Sequence, residues 1–167
     1  MPKYIDLHSK VWWDYLEQDL QLLFEESLEL VRRVRYWDQQ FHDYSFIVFP
    51  AAKAYEGFLK QFFLDMGFIE KKDFLGRRFR IGRALNPELD RKYRKKESVY
   101  DRLLTHCSGE ALPDQLWNTW KESRNMLFHW FPNEANIVTY PEAQKRVEMI
   151  IEAVDAVFRD CDPHYKN

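Results

Sequence analysis

The sequence AAKAYEGFLKQFFLDM, from Ala51 to Met66, decides the fold of this chain. Its apolar residues recur three or four positions apart, which is the period of an α-helix. They are dense enough to predict a central helix that is buried on most sides. We expect this helix to have Ser45 as its cap, to hold Pro50 in its first turn and to end at Gly67. The apolar positions are Ala51, Ala54, Tyr55, Phe58, Leu59, Phe62 and Met66.

The rest of the chain is predicted to surround this element with helices. No strand pattern is longer than a few residues, so the sequence predicts an all-α bundle of four to five helices. A length of 167 residues suits a single domain, 1–167. The further helices are expected over residues 10–36, over 98–107, from Pro113 to Trp130 or Phe131, and from Pro141 onward.

The composition bounds the partners and the compartment. Aromatic residues make up 17% of the chain, more than one small core usually absorbs, which favours a homodimer whose interface takes up part of them. Cys107 and Cys161 show no CxxC spacing and are expected to be free thiols in a reducing compartment. No signal peptide is apparent, and the longest apolar run, 46–52, is too short for a bilayer span. We therefore expect a cytoplasmic protein without a membrane partner.

Positive charge is concentrated in one segment. Residues 71–102 hold twelve Lys and Arg against five Asp and Glu, whereas the whole chain has a net charge of −2. Helical periodicity is lost over 67–96, so an irregular basic excursion is predicted between helices two and three. Its basic residues alternate with aromatics, which suits a nucleic-acid backbone with stacked bases, although a solvated loop of like charge explains the pattern equally well. The interruptions are Gly67, Gly76, Gly82 and Pro87.

A polar cluster interrupts the predicted helix that ends near Pro132. It contains Arg124, Asn125 and His129. These residue types suit the transesterification of a phosphodiester. Histidine moves a proton to or from a reacting oxygen near neutral pH, and arginine neutralises charge that develops on phosphorus. Asn125 would hold the histidine tautomer or contact the substrate. The sequence has no HExxH, no CxxC, no tight carboxylate pair and no phosphate-binding glycine loop, so no metal site and no cofactor is expected.

The helical spacing of this cluster favours a composite site. On an α-helix His129 lies roughly 140° from Arg124, so one helix does not direct both side chains at one atom. Two copies packed near a two-fold axis bring them together. The purely structural alternative is an arginine paired with Glu122 or a neighbouring helix, and a histidine hydrogen-bonded at a helix end.

Glu56 is the unusual residue of the central helix. It is either an i,i+4 partner of Lys60 at the surface or an inward carboxylate that needs a basic partner, and its spacing favours the surface pair.

The segment Arg124-Asn125-Met126-Leu127-Phe128-His129 resembles the arginine, four-residue spacer and histidine motif of HEPN-superfamily ribonucleases. The helical plan and the stretch 54–58 are similar as well. In RnlA-type toxins of this superfamily a glutamate on an earlier helix joins the arginine and histidine, which implies a role for Glu56. The resemblance implies a HEPN-like bundle that dimerises, cuts RNA without metal, and acts as a toxin or antiviral effector restrained by a protein antitoxin or inhibitor. Where some relatives carry a modified tyrosine, this chain has Phe131, so regulation by modification there is not expected.

Two other pairs, Arg35 with His42 and Arg159 with His164, have a similar spacing, but they lie across a helix end and in a polar tail. The sequence therefore predicts an endoribonuclease in which Arg124 and His129 are catalytic, with support from Asn125 and Glu56. The alternative is a non-catalytic HEPN-like module that binds a protein or nucleic acid as a regulatory subunit. The residues expected to guide RNA are Arg77, Arg78, Arg80, Arg83, Lys92, Arg94, Lys95 and Lys96.

Overall fold

The computed structural model describes residues 5–107, 109–134 and 136–161, and all regular structure in these ranges is helical. The predicted all-α bundle is confirmed. A π-helical turn over Lys121–Asn125 continues the seventh helix, and short 3₁₀ turns lie at Trp13–Tyr15, Val34–Tyr36 and Pro132–Glu134. The helices are α1 Gln18–Arg33, α2 Ser45–Asp65, α3 Lys71–Leu75, α4 Ile81–Ala84, α5 Arg91–Glu97, α6 Val99–His106, α7 Ala111–Trp120 and α8 Tyr140–Asp160.

Helix α2 is the centre of the bundle and packs against α1 and α8. Apart from Phe49, its apolar side chains from Ile47 to Phe63 are almost completely buried, as the sequence predicts. Gly57 allows α1 to approach closely, because a Cβ there would overlap the side chain of Leu20. Pro50 is the sixth residue of α2, so the prediction that it lies in the first turn is wrong. Within the described ranges no helix, α2 included, has an apolar stretch long enough to cross a bilayer.

The end of α2 is confirmed at Gly67. This residue has φ of 70°, a left-handed conformation that glycine adopts without steric cost. The amide of Phe68 donates to the carbonyl of Phe63 at 2.8 Å, which satisfies one of the carbonyls left free at the helix end.

The segment before α1 is not part of that helix, so the predicted start at residue 10 is wrong. Trp12 is completely buried, and its Nε1 donates to Asp155 of α8 at 2.7 Å. The Nζ of Lys10 lies 2.6 Å from the other oxygen of the same carboxylate. Because the indole must reach α8, the chain forms a 3₁₀ turn and an extended residue at Leu16 before α1 begins. The N-terminal segment is thereby fixed to the last helix.

A buried hydrogen bond aligns α7 with α2. The hydroxyl of Tyr55 donates to the carbonyl oxygen of Leu116 at 3.2 Å. Burial raises the pKa of Tyr55 well above its ordinary value, so the side chain remains a neutral donor. This contact sets the position of α7 beside Glu56, the residue that follows on α2.

Helix α8 begins where the sequence predicts. Thr139 and Glu142 form a capping box, in which the Thr139 amide donates to Glu142 Oε2 at 2.8 Å. The backbone and hydroxyl hydrogen bonds from Thr139 lower the pKa of Glu142. Pro141 occupies the first turn, where its missing N–H is not needed.

Cys107 and Cys161 form a disulfide, with 4.9 Å between their Cα atoms. The prediction of two free thiols is therefore wrong. The spacing of the cysteines does not indicate pairing, because the residues are 54 positions apart and only the fold brings the end of α6 to the end of α8. Disulfides persist mainly in oxidising compartments. The bond therefore does not support the cytoplasmic location, which stays a prediction.

Reduction of this disulfide is expected to destabilise the protein by about 2–4 kcal/mol, because it releases a long closed loop in the unfolded chain. Urea unfolding with and without dithiothreitol measures the difference. In the Cys107→Ser/Cys161→Ser variant the reductant should have no effect. Labelling of both cysteines by a thiol reagent in the untreated native protein would contradict the bond.

Candidate functional site

Glu56 and Arg124 form an ion pair between α2 and the π turn that follows α7. Arg124 Nε lies 3.6 Å from Glu56 Oε2, and Lys60 Nζ lies 3.6 Å from Glu56 Oε1. One carboxylate therefore contacts both its i,i+4 lysine and a basic residue of another element, while its side chain stays one-third exposed. Two cations share one anion, which leaves a net positive charge at this point.

Aromatic rings hold the guanidinium of Arg124 in place. Its Cζ lies 5.4 Å from the ring centroid of Trp120 and 5.1 Å from that of Phe128. Cation–π contacts of this kind orient a guanidinium without consuming its hydrogen-bond donors. The donors of Arg124 that do not face Glu56 are thus available to an anion.

The helix that carries Arg124 ends earlier than predicted. After Trp120 the backbone widens into the π turn, in which the amide of Met126 donates to the carbonyl of Lys121 at 2.9 Å. The chain then turns, since the residue before Pro132 disfavours helical geometry and Asn133 is left-handed with φ of 62°. The predicted continuation to Trp130 or Phe131 is wrong. Asn125 and His129 consequently do not share a helical face.

His129 lies in the turn after this helix end, with its side chain exposed. Its carbonyl accepts a hydrogen bond from the side-chain amide of Asn136, and its ring centroid lies 6.5 Å from that of Phe131. Large apolar side chains around it are exposed by 39–79%, and we call them the aromatic surface. The members of the aromatic surface are Phe49, Met126, Phe128, Trp130 and Phe131.

A cavity of about 440 Å³ brings together three of the four predicted catalytic residues, Glu56, Arg124 and Asn125. Arg80 and Arg83 of the basic excursion line it as well, so the excursion folds back onto the polar cluster. No histidine belongs to its lining. We call it the arginine cavity. A larger cavity of about 760 Å³ lies elsewhere, between residues 5–8 and α1, and none of the predicted site residues lines it.

The basic excursion consists of three short helices, α3 to α5, and the loops between them. Three of its predicted RNA-binding residues are neutralised by carboxylates in the structure. The shortest N–O distances are 2.5 Å for Arg83 with Glu97, 3.6 Å for Lys92 with Asp90, and 2.8 Å for Arg94 with Asp101.

Five predicted RNA-binding residues remain exposed and make no ion pair with the described part of the chain. A second cavity, of about 570 Å³, carries Arg78 and Lys96 on its wall and shares Phe79 and Arg80 with the arginine cavity. Basic side chains without an ion pair therefore lie on both cavities, although Glu70, Asp73 and Glu97 also line the second one. The five residues are Arg77, Arg78, Arg80, Lys95 and Lys96.

The other sequence matches stay outside this site. Arg35 donates to the hydroxyl of Tyr36, and Arg159 pairs with Asp160 at 2.8 Å. His164 lies outside the described residues. In the ranges that the structure describes, no group of three or more His, Cys, Asp or Glu side chains is arranged to hold a metal ion.

Sequence reasoning missed Trp117, Trp120 and Gly82 as residues of the cavity wall. The two tryptophans follow the helical period of the core, so their spacing gave no sign of a second role. A glycine at position 82 predicts only a helix interruption.

Comparison of the chain with family models, curated proteins and solved structures finds no significant match.

The ion pair of Glu56 and Arg124 is expected to add little to stability. Their side chains are 33% and 38% exposed, and such pairs contribute about 0.2–1 kcal/mol. A double-mutant cycle with Glu56→Gln and Arg124→Gln, followed by urea unfolding, measures the coupling. The exposed pair of Glu29 and Arg33 on α1 is the matched control. A coupling above about 3 kcal/mol would identify the pair as a structural brace.

Proposed function

We propose that this protein is a metal-independent endoribonuclease of HEPN type, acting as a toxin or antiviral effector. The observation that carries the proposal is the arginine cavity. Its wall contains the guanidinium of Arg124, the carboxylate of Glu56 and the amide of Asn125. Arg80 and Arg83, from a distant part of the sequence, line the same wall. A site with this charge favours a polyanion that carries reactive phosphodiesters.

The proposed reaction is transesterification by the 2′-hydroxyl of the RNA. The 2′-oxygen forms a bond to phosphorus and loses its proton to a histidine. The bond from phosphorus to the 5′-oxygen breaks, and that oxygen receives a proton from a histidine. Arg124 stabilises the charge on the non-bridging oxygens, and Glu56 holds the guanidinium in position. The products are a 2′,3′-cyclic phosphate and a 5′-hydroxyl.

The site is proposed to be completed by a second copy of the chain. The arginine cavity has no histidine in its wall, whereas His129 belongs to the turn with the aromatic surface and follows Phe128, whose ring centroid lies 5.1 Å from Arg124 Cζ. Exposed apolar surface of this kind marks interaction sites. A two-fold contact through the aromatic surface would bring His129 of each protomer toward the cavity of its partner. A protein antitoxin or inhibitor that covers this surface would restrain the enzyme.

RNA cleavage in the presence of EDTA tests the catalytic assignment. The variant His129→Ala should lose at least about 100-fold in rate, since general acid–base catalysis contributes about 10²–10⁴-fold. His42→Ala, which removes an exposed histidine of a loop, is the control and should retain activity. Products with 2′,3′-cyclic phosphate ends are expected. Undiminished cleavage by His129→Ala would refute the assignment.

Mixing two inactive variants tests the composite site. In the proposed dimer each cleft takes Arg124 from one protomer and His129 from the other. When an Arg124→Ala protomer pairs with a His129→Ala protomer, one cleft has lost both residues and the other keeps both. Activity should therefore return on mixing, although neither variant cuts RNA alone. If each protomer holds a complete site, the mixture stays inactive.

The second candidate function is a non-catalytic module that binds RNA or a protein. The observation that favours it is the engagement of Arg124 with Glu56 in a cavity without a histidine. RNA binding without cleavage by the wild-type dimer would select this function.

Charge reversal of Arg77, Arg78 and Arg80 to Glu is expected to weaken RNA binding and to flatten its salt dependence. Each lost contact to a single strand lowers the slope of log K against log salt by about 0.7. The control is the same reversal of three exposed arginines at the end of α1 and in the 3₁₀ turn after it, which are Arg32, Arg33 and Arg35. An unchanged slope would identify the excursion as a solvated loop.

A further inference from the structure

The wall of the arginine cavity has two chemically different parts. One part is aromatic and consists of Phe79, Trp117 and Trp120, and the other carries the polar groups already described. Its volume of about 440 Å³ lies within the range of about 300–1,000 Å³ that is typical of small-molecule sites. A wall that combines aromatic faces with guanidinium groups suits a ligand that is both planar and anionic.

The aromatic part is rigid on one side and accessible on the other. Trp120 is only 7% exposed, and a Cβ on Gly82 would lie 2.6 Å from its Nε1, so α4 rests directly on the indole. Trp117 and Phe79 are half-buried and keep part of their surface open to the cavity. Nucleic-acid bases stack on open aromatic surfaces of this kind.

The charge of the wall is unevenly compensated. Arg83 pairs with Glu97 at 2.5 Å and lies over the ring of Tyr93, so its charge is already neutralised. Arg80 is exposed and makes no ion pair with any described residue. Its guanidinium is therefore the cation of this wall that is best placed to receive a phosphate.

Asn125 adds a group that distinguishes bases. Its amide lies on the cavity wall and is exposed. A side-chain amide both donates and accepts hydrogen bonds, so it recognises the edge of a base as well as its face. Since Asn125 does not share a helical face with His129, contact with the substrate is the role that this geometry favours.

We infer that the arginine cavity binds one nucleotide of the RNA, next to the bond that is cut. The base lies against Trp117 and Phe79, its edge meets Asn125, and its phosphate pairs with Arg80. This inference rests on the proposed ribonuclease function and assigns to the same site the recognition of a single base.

The test measures binding apart from cleavage. The probes are 2′-O-methyl tetranucleotides of adenine, cytosine or uracil, which lack the attacking hydroxyl, and inorganic pyrophosphate. Affinities are measured by calorimetry at about 0.15 M salt, where distant charges are screened. Trp117→Leu should weaken tetranucleotide binding about 5- to 100-fold, since stacking supplies much of the affinity, and leave pyrophosphate binding unchanged.

Further variants separate the parts of the ligand. Arg80→Gln should weaken both kinds of probe, and Asn125→Ala should reduce the differences among the three bases. Arg91→Gln removes an exposed arginine of α5 outside the cavity and should change neither affinity. Phe79→Leu repeats the stacking test at the other half-buried ring of the wall, in case Trp117→Leu does not fold by circular dichroism.

Two results would overturn the inference. Equal affinity for pyrophosphate and tetranucleotides would show an anion site without a base. Unchanged tetranucleotide binding in folded Trp117→Leu and Phe79→Leu would show that the base lies elsewhere. Cleavage of unmodified RNA by the wild type is scored separately. If the wild type cuts RNA but the variants bind the tetranucleotides as tightly as the wild type does, only the proposed base site is refuted. If the variants bind more weakly but the wild type does not cut RNA, only the proposed nuclease activity is refuted.

Discussion

Helix α2 carries apolar side chains around most of its circumference, and its neighbours are arranged to remove them from water. Each fully buried Phe or Leu contributes about 1.5–3 kcal/mol, so this requirement outweighs any single polar contact in the chain. Glu56 and Gly57 interrupt the apolar shell at adjacent positions. Gly57 lets α1 close against α2, and Glu56 faces Arg124. The place where Glu56 meets Arg124 is therefore set by the packing of the core.

Elements with a strong and sustained period were predictable from sequence. The stripes of α2 and α8 and the local signals at Gly67 and Pro141 indicate their positions, because these signals act within a few residues. The segment before α1 was not predictable in this way. Its tryptophans fit the helical period, yet Trp12 is buried against α8, and a hydrogen bond to Asp155 outweighs the local preference. Cysteine pairing across 54 residues likewise depends on the complete fold.

The candidate site was predictable in its residue types more than in its geometry. The spacing of Glu56 suggested two partners as alternatives, and the structure shows both, because a carboxylate has two oxygens. The angle predicted between Arg124 and His129 holds only on a continuous α-helix, and the π turn interrupts that helix. The tryptophans of the cavity wall looked like core, since a half-buried ring and a core ring have the same period in sequence.

The bond between Cys107 and Cys161 closes a covalent ring that contains α7, the π turn, the turn with His129 and α8. Arg124, Asn125 and the tryptophans of the arginine cavity belong to this ring, whereas Glu56 lies outside it. A single break of the backbone inside the ring leaves both fragments linked through sulfur. The part of the site that belongs to the ring is thus covalently held at both ends. A cut of the backbone in the exposed turn around His129 does not release that part from the molecule.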